Sequence, residues 1–268
     1  MERSFLLLKP DCLRTGRTVA VEAAVAEAGL RIVCRHPVSL TPSEVRFLWS
    51  EYTDGAHVLM LAFLERYLGD GPSEVLLLAG PDAFEAARRV KRAIRSRYAN
   101  GPFANLIHTA ERRGELARQA NHLFGRCAAC ADPFVSDEPL VNAPRPAGRD
   151  FRREVDVPGL VESLWPALQS ADPPAPAPHR LGGRAPESAL YLGADPAHSL
   201  DSTVTAVWSA LPGIALAHAV TLMLYAGRVG GYPIAVGGQR AVSRGHRTLI
   251  AHGITACGIG PAPVRHGA

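Results

Sequence analysis

The sequence predicts an α/β (α+β) chain with two folded domains on either side of a proline-rich linker. Three observations carry this expectation. Apolar runs of strand character alternate with helical spacings through the first half of the chain. Prolines then collect between Asp132 and Arg184, ending in Pro173-Pro174-Ala175-Pro176-Ala177-Pro178, a composition that makes a stiff, extended connector. Beyond it, from about Ala185, long apolar and glycine-rich stretches return. The length of 268 residues suits two domains. A hydrophobic content of 47% and a charged content of 20% exclude global disorder. The net charge of +4 fits a phosphate-bearing small ligand as well as nucleic acid.

The elements follow in order. Ser4–Leu8 is a short strand closed by Lys9-Pro10-Asp11, so that Lys9 and Asp11 flank its end. The run is too short for the apolar core of a signal peptide. The five cysteines are odd in number and scattered, which fits a reduced compartment. The expectation is a cytoplasmic protein. Thr18 to Ala28 has helical spacing and Gly29 stops it. Leu30 to His36 alternates as a strand. Thr41, Pro42 and Glu44 open a helix with a capping box, and that helix reaches Tyr52. A second helix runs from about His57 to Leu68 and ends at Gly69-Asp70-Gly71-Pro72. Glu74–Ala79 is a third strand. Gly80-Pro81-Asp82 leads into a basic helix through Ala93, and Asn105–His108 is a fourth strand followed by a helix from Gly114 to Phe124. The order β-α-β-(αα)-β-α-β-α predicts the split β-α-β, ferredoxin-like sandwich.

Within this frame several stretches resemble the nucleoside diphosphate kinase family. They are Glu2-Arg3-Ser4-Phe5-Leu6-Leu7-Leu8-Lys9-Pro10-Asp11, Tyr67-Leu68-Gly69-Asp70-Gly71-Pro72, and Asn105-Leu106-Ile107-His108. The resemblance covers residues 2 to 125 and implies a domain at 1–125; beyond it, composition and pattern give a linker with a Cys-x-x-Cys pair at 126–184 and an unidentified second mixed α/β domain at 185–268. It implies that His108 carries the phosphoryl group. It implies that Lys9, Arg88 and Arg95 contact nucleotide phosphates, Arg89 being the neighbour that could replace Arg88. Tyr52 then stands beside the nucleophile and Asn105 touches the sugar. ATP and nucleoside diphosphates with Mg²⁺ are the implied ligands, in a homo-oligomer that needs neither nucleic acid nor membrane.

The chemistry stands without the family. Phosphoryl transfer asks a protein for positioning and charge neutralisation. A neutral imidazole nitrogen is a competent nucleophile near pH 7, arginine forks and an ammonium stabilise the phosphoryl oxygens, and Mg²⁺ bridges nucleotide phosphates.

The chain also departs from the family's pattern. Cys12 stands where the family has glycine after Lys-Pro-Asp. Thr109-Ala110-Glu111 stands in place of Gly-Ser-Asp, and the position of the glutamate that orients the histidine holds Gln119. Ala110 cannot hold an imidazole, so Thr109 or Glu111 is the expected substitute. The interval from Arg88 to Arg95 is short, which removes a phosphate-contacting threonine and oligomer contacts. The alternative reading is a weak or inactive nucleotide-binding module that serves the C-terminal half.

In that half, Cys127-Ala128-Ala129-Cys130 is half of a zinc site whose other half is not evident among His122, Cys257 and the scattered histidines. Ser202 to Ala226 contains no charged residue. Pro212, Gly213 and His218 break it, so it reads as a buried helix pair or a helix plus a strand. Tyr232–Val236 is strand-like. The basic run Gln239–Arg247 reads as a solvated loop, and His246 with His252 is a further candidate pair.

Overall fold

The computed structural model describes residues 1–99, 103–125, 127, 130, 132–138, 146–170, 173–182 and 187–263. They form two compact units, Met1–Glu51 with Leu64–Ala143, and Tyr52–Phe63 with Pro144–Ala268.

The first unit holds the strands β1 (Glu2–Leu8), β2 (Arg31–Val38), β3 (Ser73–Gly80) and β4 (Ile107–His108) in the order β2-β3-β1-β4. All three pairings are antiparallel, which is the ferredoxin-like arrangement the element order predicts. The central strands are continuous apolar runs because both their faces are covered. Phe5 to Leu8 and Val75 to Leu78 are buried. Edge strand β2 instead alternates between exposed and half-buried positions.

One face of the sheet carries α2 (Thr18–Glu27) and α5 (Ala83–Tyr98), whose Val21, Val25, Ala87, Val90 and Ile94 join Leu6, Leu8, Leu76 and Leu78 in the core. A five-residue helix, α1 (Pro10–Arg14), follows β1, with proline in its first turn, where its missing N–H costs nothing. The capping box forms at α3 (Pro42–Leu48): Glu44 N donates to Thr41 Oγ1 at 3.3 Å and Thr41 N to Glu44 Oε2 at 2.8 Å. α4 spans Val58–Leu68 and α6 spans Arg113–Phe124. α5 is unbroken from Arg88 to Arg95 and runs on past Ala93 to Tyr98, so no loop occupies the shortened interval.

The second unit holds α7 (Val157–Gln169), β5 (His179–Arg180), β6 (Ser188–Leu192), α8 (Leu200–Ala210), α9 (Leu216–Val229), β7 (Tyr232–Gly237), α10 (Gln239–Ala251) and β8 (Cys257–Pro261). Its sheet order is β5-β7-β6-β8, parallel only between β5 and β7. The uncharged stretch is the helix pair α8–α9, turned at Gly213 with φ +79°. Its apolar residues pack on Leu190, Leu192, Ile234 and Ala235. Among the described residues no helix is long and apolar enough to cross a membrane. At the start of α4, the buried carboxylate of Asp201 accepts from Leu59 N at 2.7 Å and Met60 N at 2.9 Å. Burial still pushes its carboxyl up to about 6.

The basic run at Gln239 is a correction. It forms the first part of α10, with Arg240, Arg244 and Arg247 exposed and Val242, Gly245 and Leu249 buried. The apolar stripe has helical spacing but only two aliphatic side chains, so it reads as a loop in sequence. Gly245 is needed for packing: a Cβ there lies 3.2 Å from the Ala210 carbonyl oxygen and 3.2 Å from Leu190. The proline cluster is tied to this unit, through Tyr232 Oη donating to the Pro176 carbonyl at 2.8 Å and His218 Nε2 lying 2.8 Å from that of Ala177. Pro139, Pro144 and the expected boundary at Ala185 lie outside the described residues.

Candidate active site

β4 brings His108 to the end of the central sheet, paired with Leu7 of β1, while Ile107 pairs with Leu8. The turn before β4 is strained. Leu106 has φ +64°, a conformation that costs a non-glycine residue about 1–2 kcal/mol. Asp11 holds it there. Its Oδ2 accepts from Leu106 N at 3.0 Å and its Oδ1 accepts from the Tyr67 hydroxyl. Lys9 N closes the same corner by donating to the Leu106 carbonyl at 2.8 Å. Asn105 is thereby placed so that its Oδ1 accepts from Lys9 Nζ at 2.7 Å.

The imidazole is 8% exposed, and its tautomer follows from its neighbours. Gln119, on α6, donates through Nε2 to the Leu48 carbonyl at 2.6 Å and to Glu115 Oε1 at 2.9 Å. Both of these partners are acceptors, so the amide nitrogen faces them and Gln119 Oε1 faces His108 Nε2, at 2.9 Å. Nε2 therefore carries the hydrogen and Nδ1 presents its lone pair. Trp49 and Phe5 wall the ring, at centroid distances of 4.8 and 6.1 Å. Burial holds the imidazole pKa well below its ordinary value, and the charges of Lys91, Lys9 and Arg95 lower it further against the opposing Gln119 bond.

The expected substitutes for the missing orienting serine are corrected by this geometry. Thr109 Oγ1 is buried without a hydrogen-bond partner. Glu111 accepts from Lys91 Nζ at 2.5 Å and from Arg88 Nε at 3.1 Å. Gln119 meets the ring instead.

The cations sit on one stripe of α5. Arg88, Lys91 and Arg95 are spaced i, i+3 and i+7, which places them on one helix face. Arg95 donates from Nε and Nη2 to the Ile107 carbonyl, at 3.1 and 2.7 Å, one residue before His108. Lys91 donates to the Thr109 carbonyl at 2.6 Å. Arg88 is instead ion-paired with Glu85 at 2.8 Å and Glu111 at 3.1 Å, and its neighbour Arg89 pairs with Asp82 at 3.3 Å. Lys9 is 3% exposed. Loss of its hydration, then repulsion from Arg95, brings its pKa to about 7, with Asp11 opposing.

The structure thus gathers Lys9, Arg95, Asn105 and His108. Tyr52 belongs to the second unit, where its ring lies 5.4 Å from that of His57, and the ring packed on His108 is that of Trp49. The site residues to which the sequence gives no functional role are Asp11, Trp49, Lys91 and Glu115. Lys91 had a signal, since it lies between the two arginines at helical spacing.

A family model described as nucleoside diphosphate kinase matches residues 2–128. A nucleoside diphosphate kinase of Methylobacterium radiotolerans is 29% identical over 120 residues, covering 41% of this chain and 84% of that protein. One of Acidiphilium cryptum is 27% identical over 133 residues, covering 46% and 93%. Among solved structures, an NDP kinase from Pyrobaculum aerophilum aligns with a TM-score of 0.40 at 20% identity, covering 45% of this chain and 93% of that one.

Proposed function

We propose, from the premise that residues 2–128 are a nucleoside diphosphate kinase domain, that the first unit transfers the γ-phosphoryl group of ATP to a nucleoside diphosphate through a phosphohistidine at His108. The observation that carries this reading is the Gln119 amide, whose nitrogen donates to two acceptors and whose oxygen faces His108 Nε2, an arrangement that favours the Nε2–H tautomer and leaves Nδ1 as a nucleophile. The Nδ1 lone pair attacks the γ-phosphorus as the bond to the bridging oxygen breaks, and that electron pair leaves with ADP. The imidazole keeps its Nε2 proton, and Gln119 Oε1 accepts it throughout. A terminal oxygen of the incoming diphosphate then attacks the same phosphorus and restores the ring. Lys9, Lys91 and Arg95 offset the charge on the phosphoryl oxygens, and Asn105 meets the sugar. Asp11, Glu111 and Glu115 are each engaged by protein donors. Mg²⁺ would come with the nucleotide as part of the substrate and would supply charge neutralisation beside Lys9, Lys91 and Arg95.

The test is incubation of the whole chain with Mg²⁺ and γ-³²P-ATP. The expected product is an acid-labile, alkali-stable label that added nucleoside diphosphate discharges. Absence of label, while ADP still raises the melting temperature, overturns the reading in favour of a nucleotide-binding module without transfer.

Lys9 makes binding depend on pH. In the free site its ammonium is lost as pH rises through about 7. A phosphate beside it favours the charged form, so binding takes up a proton above that pH. Affinity for ADP should therefore fall between pH 7 and 9, by up to about tenfold per pH unit. Isothermal titration in buffers of different ionisation heat reads the uptake, and Lys9→Met should flatten the slope.

A further inference from the structure

We propose that Cys34, His36, Cys127 and Cys130 of the first unit form a zinc site of the Cys₃His type. The other half of the Cys-x-x-Cys signal, which the sequence does not reveal, comes from edge strand β2. The four donor atoms, three Sγ and one imidazole nitrogen, all lie within 4.8 Å of one another. Cys127 Sγ is 3.2 Å from Cys130 Sγ, and Cys130 Sγ is 3.9 Å from His36 Nε2. A tetrahedral ion with Zn–S of about 2.3 Å and Zn–N of about 2.0–2.1 Å sets its donors about 3.5–3.8 Å apart. The observed spacings bracket that value, and small rotations of the side chains close the shell.

The backbone is built to bring these donors together. β2 pairs with β3 in a register that shifts between Ile32 and Cys34. Ile32 stands opposite Leu78 and packs into the core on the side of α2 and α5. Were the strand regular, Cys34 and His36 would share that face with Ile32, two and four residues along. The extra residue at Val33 reverses the alternation, so that Cys34 stands opposite Leu77 and His36 opposite Val75. This is the face on which α6 lies: the His36 ring packs edge-on against Phe124, the last residue of that helix, at 6.1 Å. The chain leaving α6 then turns back, with Cys127 N donating to the Phe124 carbonyl at 2.8 Å and Cys130 N to that of Cys127 at 3.0 Å. Farther on, Arg3 Nη2 holds the Asp132 carbonyl at 3.0 Å and Asn121 holds Phe134 through two bonds of 2.9 and 2.8 Å. The Cys-x-x-Cys turn is thus anchored on both sides.

A disulfide between Cys127 and Cys130 leaves Cys34 and His36 unexplained, and the 3.2 Å between the Cys127 and Cys130 sulfurs is well beyond an S–S bond of about 2.05 Å. The matched family residues end at 128, so Cys130 lies outside the family's match, and the phosphoryl chemistry uses none of the four. Binding displaces the three thiol protons to solvent and leaves the imidazole neutral, ligating through Nε2. The ion clips the exposed edge strand to the chain beyond α6 across a long loop, where a cross-link gains most.

The test is metal analysis of the full chain purified under reducing conditions, followed by chelation, zinc return and substitution of cobalt. The expected result is about one zinc per chain, a fall in the first unit's melting temperature on chelation that added zinc reverses, and the visible absorption of tetrahedral thiolate-bound cobalt. Cys34→Ser and Cys127→Ser should each lose the ion, while Cys257→Ser, in the second unit, should keep it. Should the variants fail to fold, the chelation and cobalt measurements on the unmodified chain still decide. A reduced chain that takes up neither metal at micromolar concentration overturns the proposal. So does uptake that persists in the double variant Cys34→Ser, His36→Ala, which reduces the site to a bare Cys-x-x-Cys pair.

Discussion

His108→Ala should abolish the acid-labile label, and Gln119→Leu should slow its formation by about 10²–10⁴-fold, between the cost of an outer hydrogen-bond partner and that of the group that sets a catalytic imidazole's tautomer. The two variants separate nucleophile from orienter. Leucine fills the volume of glutamine but accepts no hydrogen, so the proton is free to move to Nδ1 and the ring is free to turn. ADP affinity should stay within about threefold, because Gln119 meets the imidazole and not the phosphate-seeking cations; a loss of rate confined to turnover marks it as a positioning residue. Gln119→Glu supplies the informative contrast. Its carboxylate still accepts from Nε2 but cannot donate to the Leu48 carbonyl, and it adds negative charge beside a ring now ringed by Lys91, Lys9 and Arg95. In the native chain the imidazole is neutral well below its ordinary pKa, so labelling should not decline as pH drops from 8 to 6. Glutamate at 119 favours the imidazolium and raises that pKa, so the variant should lose rate on the acid side of that range while retaining it at pH 8. Identical pH profiles for the native chain and Gln119→Glu, measured by rapid-quench labelling, would remove the tautomer argument.

How much of this site was legible in the sequence depends on how far each contact reaches along the chain. The central strands were legible because a strand covered on both faces must be apolar throughout, as Phe5–Leu8 and Val75–Leu78 are. The capping box at Thr41 was legible because its partners lie three residues apart. His108 and its neighbours Lys9, Asn105 and Arg95 were legible through resemblance, and the structure brings those four together. Asp11 was noticed only as a residue flanking a strand end. Its bond to Leu106 spans 95 positions, and no local pattern announces a carboxylate that supports a distant backbone corner. Trp49 carries no signal of its own in sequence, and its place as the wall of the imidazole appears only once β4 and the end of α3 are placed. The partners of Cys127 and Cys130 were hidden for a different reason. Cys34 and His36 alternate as an ordinary edge strand should, and the single inserted residue that turns them toward Cys127 and Cys130 leaves no mark in composition. In α10 the difficulty was a glycine: Gly245 is buried because α8 approaches it closely, and in sequence it reads as a loop former.

Asp11→Ala should destabilise the first unit by about 3–5 kcal/mol and disable the site, a loss comparable to breaking a buried charge from its partners. The carboxylate satisfies two buried donors, the Tyr67 hydroxyl and the Leu106 amide. Each donor left unpaired costs about 1–3 kcal/mol. One of them is also the tether that keeps Leu106 at φ +64°. Released, Leu106 relaxes toward negative φ, and the corner that sets Asn105 against Lys9 and starts β4 opens with it. Tyr67→Phe distinguishes the two contributions. It removes one donor and leaves the Leu106 bond intact, so it should cost only about 1–2 kcal/mol and retain most of the phosphoryl transfer. The double variant should be little worse than Asp11→Ala, since the hydroxyl then has no carboxylate to meet. Amide exchange read by mass spectrometry follows the corner directly: in Asp11→Ala the peptide bearing Leu106 to His108 should exchange before the rest of β1 and β3, whereas in Tyr67→Phe it should stay protected. Equal exchange in both variants would mean that the backbone holds its own left-handed turn and that Asp11 serves only the tyrosine. The protected outcome for Tyr67→Phe alone would place the strain at Leu106 under the control of a single carboxylate, one residue beyond the proline that opens α1.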